Sequence, residues 1–166
     1  MEYKIIKKDT FNLIGLKKQV TVNHSGVNEE IKAMNEHLTT EIRSEIASLS
    51  TIEPKGLVNA SMNFIDRHLD GVGKFDRIIG AATTASISDK YEVSNVPALT
   101  WAVFTCSGIF PKALHSAYQE INSDFFVNSE YTKDLDMEMV IHIMPAIPGK
   151  EYKGEIWLPV KLKEDK

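Results

Sequence analysis

Apolar residues recur every third or fourth position over Val27, Ile31, Met34, Leu38, Ile42, Ile46 and Leu49, with Glu, Lys, Asn, Thr and Arg between them. That spacing predicts one long amphipathic helix with a single buried stripe, its start capped by Ser25 or Asn28. Before it, two short runs rich in Ile, Leu and Val, Tyr3–Lys7 and Phe11–Val22, read as a split first strand. After Pro54 and Gly56 the pattern returns to strand at Leu57–Phe64 and Lys74–Thr83. The stretch Asp66–Gly73, which contains Asp70-Gly71, forms the turn between them.

The second half follows the same order. Tyr91–Val93 and Leu99–Cys106 are extended, with Pro97 between them. Pro111 then stands at a first helical position, and Leu114, Ala117, Tyr118, Ile121 and Phe125 follow at helical spacing. A polar loop, Asn128–Asp134, leads to a strand over Asp136–Met144. Pro145, Pro148 and Gly149 turn the chain into a last strand, Tyr152–Val160. Aligning Tyr3 with Tyr91 brings Leu13–Leu16 near Leu99–Ala102, and Phe75–Gly80 corresponds to Tyr152–Trp157. The sequence therefore predicts an α+β protein of duplicated β-α-β-β units, with pseudo-repeats over about 1–86 and 87–166 of a single domain 1–166. Two such units form an antiparallel sheet with two helices on one face, which leaves the opposite face free for a ligand cleft between the halves.

A chain of 166 residues, 43% hydrophobic and 25% charged, has the length and balance of one soluble domain. One cysteine, Cys106, allows no intramolecular disulfide and no multi-cysteine metal site. A cytoplasmic location is the expectation, since neither a signal-peptide pattern nor an apolar stretch of membrane-spanning length is present. With a formal charge of −4 and scattered lysines, direct nucleic-acid binding is disfavoured. The five histidines lack metal-ligand spacing, so no metal and no cofactor are expected.

Several segments resemble the GyrI-like (AraC effector-binding) family. Phe75-Asp76-Arg77-Ile78-Ile79-Gly80-Ala81-Ala82 is similar to its "fdyiaGv" segment, and Val96-Pro97-Ala98-Leu99-Thr100-Trp101-Ala102-Val103-Phe104 to its "vPagtyAvf" strand. Gly108-Ile109-Phe110-Pro111-Lys112-Ala113-Leu114 matches the start of its second helix, and Glu155-Ile156-Trp157-Leu158-Pro159-Val160 its closing "EiwiPv" strand. The motifs occur in family order over about half the chain. The resemblance implies a stand-alone small-molecule-binding protein for amphipathic, aromatic or cationic ligands, serving sensing, sequestration or resistance. It also implies two alternatives. One is a hydrolase of strained, cyclopropane-bearing toxins; the other is a protein-interaction module like the family's gyrase modulator. If it regulates transcription, it acts with another protein, since the chain has no room for a helix-turn-helix of its own; otherwise it sequesters the ligand.

Alternation along the last strand sets Ile156, Leu158 and Val160 on one face, suited to lie beneath the helices, and Glu155 and Trp157 on the other. Along the preceding strand, Met137, Met139, Ile141 and Ile143 share one side and Glu138, Val140 and His142 the other. Leu99–Cys106 is apolar on both sides, so only the resemblance turns Trp101 toward the cleft. The expected site is a pocket walled by Trp101 and Trp157 with Glu155 and Glu138 as its carboxylates. Aromatic walls offer a large rigid surface and attract cations, and a carboxylate among them complements positive charge. In the hydrolase alternative Glu155 is the base. Val140 stands where many relatives carry tyrosine, which leaves a catalytic tyrosine near Glu138 without support. Cys106 has the surroundings of a buried strand residue rather than a nucleophile.

Overall fold

The computed structural model describes residues 2–24 and 27–164. The chain forms two compact units, one of residues 1–9 with 98–166 and the other of residues 10–97. These are not the two sequence halves: the first strand of each repeat pairs within the other repeat's unit.

The second unit contains β2 (Phe11–Thr21), α1 (Glu29–Glu36), α2 (Thr40–Ala47), β3 (Val58–Ile65), β4 (Lys74–Thr83) and β5 (Glu92–Val96). Its strands lie in the order β5-β2-β4-β3, every pairing antiparallel. The first unit contains β1 (Tyr3–Lys8), β6 (Leu99–Ile109), α3 (Lys112–Glu120), β7 (Tyr131–Lys133), β8 (Glu138–His142) and β9 (Glu151–Leu162). Its order is β1-β6-β9-β8, again antiparallel, with β7 beside the end of β9. The α+β class and the repeated order of elements are as the sequence implies.

The duplication extends to register. Ile14 pairs with Val93 in the second unit where Ala102 pairs with Ile5 in the first. Gly15 opposite Gly80 corresponds to Val103 opposite Trp157, and Val58 opposite Gly80 to Met139 opposite Trp157. Leu13–Leu16 therefore matches Trp101–Phe104, two residues beyond the alignment read from sequence.

The helix expected over Val27–Leu49 is two helices. Asn28 caps α1 through bonds from Glu30 N (3.1 Å) and Ile31 N (3.2 Å); Ser25 lies outside the described residues. The break falls at His37–Thr39, where Thr39 leaves the helical conformation and its hydroxyl caps α2 by accepting from Ile42 N at 3.2 Å. A Thr hydroxyl that satisfies an orphan amide competes with helix continuation, while the apolar stripe runs through both helices. Met34, Leu38 and Ile46 pack with Val20, Phe75, Ile79 and Ala81 on one face of the sheet.

In the first unit α3 continues into a π-helical turn, Ile121–Phe125, and a short helical turn, Phe126–Asn128. Ala117, Ile121 and Phe125 pack on Ala102, Phe104, Val140, Ile156 and Val160. Strand β7 lies inside the segment expected to be loop; at three residues it is too short to show alternation. Beside this core, the Tyr152 hydroxyl lies 2.6 Å from His142 Nδ1, and burial, with a smaller contribution from Cys106, pushes its pKa up to about 12. Cys106 is buried, its sulfur 3.7 Å from the Gly154 carbonyl oxygen, and burial raises its thiol as well.

Two predictions follow from this packing. A methyl group at Gly15 would overlap the Ile79 carbonyl and the Gly80 backbone, which no side-chain rotation relieves. Gly15→Ala should cost about 3 kcal/mol in urea denaturation. The second concerns Tyr152, whose folded pKa lies above its ordinary value of 10.0. The folded state therefore keeps a proton that the unfolded chain releases, and stability falls as pH rises from about 10 toward about 12. That loss, up to about 3 kcal/mol, should shrink in Tyr152→Phe when thermal unfolding is followed against pH.

Candidate functional site

Strands β6 and β9 position the candidate residues. Their ladder runs from Thr100–Val160 to Ile109–Glu151 without a slip. Directly opposed residues in such a ladder share a face. Since Ala102, Phe104, Ile156 and Val160 lie beneath α3, the odd-numbered residues of both strands occupy the other face. Trp101, Trp157 and Glu155 thus come together on the face turned away from the helix. The register orients Trp101, which alternation alone left open.

On that face Trp101 lies opposite Ile6 and Pro159, Trp157 opposite Val103 and Met139, and Glu155 opposite Thr105 and Ile141. The two indoles meet edge to face, centroids 6.1 Å apart and planes at 63°. Trp101 is 0% and Trp157 2% exposed. Both are therefore packed groups in this state rather than open pocket walls. Glu155 is half-buried. Its Oε1 accepts a bond from Trp157 Nε1 at 3.2 Å.

Glu155 has no cationic partner among the described residues, whereas Glu45 and Asp76 do. Both oxygens of Glu45 are within 3.1 Å of Lys90 Nζ, and Oε1 also accepts from the Tyr91 hydroxyl at 2.9 Å. The Lys90 ammonium, followed by the tyrosine hydroxyl, holds the Glu45 carboxyl below its ordinary pKa. Asp76 lies 3.7 Å from Lys17 Nζ. Glu155 is held by a neutral donor, the indole N–H of Trp157.

Glu138 does not join this group. It alternates with Val140, which packs under α3 opposite Ile156, so Glu138 is on the helix-bearing face and Glu155 on the reverse. The side of β8 that meets the indoles is the one carrying Met139 and Ile141. Those residues and Thr105 are the neighbours that sequence reasoning did not assign to the site. The alternation of β8 grouped Met139 with Ile141 correctly, but only the pairing with β9 says which group faces Trp157. His142, on the face of Glu138, is exposed and joined to Tyr152.

Among the described residues, no set of three or more His, Cys, Asp or Glu side chains is arranged to hold a metal ion. No helix there is long and apolar enough to cross a membrane.

Solved structures of similar fold cover nearly the whole chain. SAV2435, in a structure described as bound to tetraphenylphosphonium, is 20% identical with a TM-score of 0.74, over 97% of this chain and 94% of that one. The C-terminal domain of EcmrR is 13% identical with a TM-score of 0.63, over 98% of each chain. A hydrolase from Listeria innocua is 10% identical with a TM-score of 0.54, over 96% of this chain and 92% of that one. At these identities the likeness is one of fold. No protein of curated function matches the chain. The family model of the GyrI-like small molecule binding domain matches residues 1–161, and the chain, with the ordered motifs and the duplicated fold of that family, belongs to it.

Proposed function

We propose that this protein binds amphipathic aromatic cations, with the Glu155 carboxylate as the counter-charge and the indoles of Trp101 and Trp157 as the apolar surface beside it. The observation that carries this reading is the state of Glu155. It is a half-buried carboxylate with an indole N–H as its bonded partner and no cation among the described residues. A carboxylate in such surroundings gains most from a positive charge that arrives with apolar surface around it, because the pair then meets in a medium of low dielectric. Soft, polarizable neighbours favour the same class of ligand: Met139 on one side of Trp157 and the two indoles, whose ring faces attract cations. SAV2435 supports the reading by its own ligand, a phosphonium cation shielded by four phenyl rings.

In this reading the protein acts in the cytoplasm in sensing, sequestration or resistance. The buried indoles make binding a change of packing as well as of contact, so the ligand must part or displace apolar groups to reach Trp101.

Titration of intrinsic tryptophan fluorescence with tetraphenylphosphonium should show saturable quenching. Glu155→Gln, which removes the charge and keeps the shape, should weaken that binding by about tenfold. Neutral triphenylphosphine oxide should bind both forms alike. An equal affinity of the two forms for the cation would rule out Glu155 as the counter-charge.

A further inference from the structure

We infer that Trp157 is a positioning residue, whose indole N–H fixes the Glu155 carboxylate for its ligand without cancelling its charge. The inference rests on the proposed role of Glu155 and adds a function for the tryptophan that differs from that of a contact wall. Trp157 is 2% exposed and lies edge to face with the fully buried Trp101, so its own orientation is set by packing. Two residues earlier on the same face, Glu155 reaches it with Oε1 at 3.2 Å from Nε1.

A glutamate on a strand face otherwise samples several rotamers, and ordering it upon binding costs affinity. Bonded to a fixed indole, the side chain is ordered in advance. A carboxylate offers about four acceptor sites, and the indole N–H occupies one. The donor is neutral, unlike the Lys90 ammonium on Glu45, so the carboxylate is held and still presents its charge. Without the N–H, the carboxylate is free to turn toward water, where screening weakens its attraction for a cation. The flanking residues, Thr105 and Ile141 in the ladders on either side, supply no charged group to replace the indole.

The test compares cation with neutral probe, which a merely structural role would affect equally. Calorimetric titration would use tetraphenylphosphonium and triphenylphosphine oxide against the intact chain, Trp157→Phe, and a chain with benzothienylalanine at position 157. The last keeps the bicyclic shape and lacks the N–H, so it decides the matter if the phenylalanine variant fails to fold. The expected result is that both variants lose roughly fivefold more affinity for the cation than for triphenylphosphine oxide. Retention of the cation preference in the benzothienyl form would overturn the positioning role while leaving the binding reading intact. Failure of the intact chain to bind either probe would overturn the binding reading, and the positioning role with it.

Discussion

The ladder between β6 and β9 is the constraint on which the site depends. Ten residue pairs, from Thr100–Val160 to Ile109–Glu151, hold the two strands in one register. Side chains alternate between faces with a period of two, so a slip of one residue in β9 would carry Ile156 and Val160 out from under α3 and push Glu155 and Trp157 in. The apolar cluster of Ala102, Phe104, Ile121, Phe125 and Ile156 opposes that slip by the surface it removes from water. The same burial that stabilises the unit therefore delivers a carboxylate and two indoles to its other face. Site and core are opposite sides of one set of strand pairings.

The duplicated register shows how one scaffold supports two different faces. Where the first unit sets Val103 against Trp157, the second sets Gly15 against Gly80. Where Glu155 sits among Thr105 and Ile141, the equivalent position is Ile78, between Lys17 and Ala60. The glycines permit an approach of backbones that a Cβ would prevent, and they remove side-chain bulk from that face. Identical pairing thus accommodates a bulky aromatic face in one unit and a flat one in the other. The chemistry read from the candidate residues belongs to the first unit alone.

Much of this was legible in the chain because alternation and helical spacing are local signals. The strand at Lys74–Thr83 appears with its sequence-derived bounds, and the facing of Ile156 and Val160 toward the helix followed from alternation in β9. What could not be read were the relations between strands. The apolar run Leu99–Cys106 gives no preference for either face, and Glu138 falls on the side away from Glu155 because β8 pairs Met139, not Val140, with Trp157. Local capping was legible only in part. Asn28 was a visible cap, but Thr39 lies within an unbroken apolar stripe, and the period of three and four does not reveal that the helix stops there. The exchange of first strands between repeats is likewise non-local, since β1 pairs with β6 and β5 with β2.

Three acidic side chains are held in ways that separate charge compensated within the fold from the charge proposed to meet a ligand. Glu45 is bound by an ammonium and a hydroxyl and so ties α2 to the segment at Lys90–Tyr91. Asp76 receives both Lys17 and an amide of Asn63 at 2.8 Å. Those carboxylates have spent their charge within the fold. Glu155 has the indole N–H of its own strand neighbour, which orders it at little electrostatic cost to its attraction for an outside cation. A lysine in place of that donor would hold the carboxylate more firmly and would also neutralise it, removing the reason for a cationic ligand to enter an apolar site. An indole satisfies both requirements at once: its ring belongs to the apolar surface, and its single N–H bonds the carboxylate proposed to give that surface its selectivity.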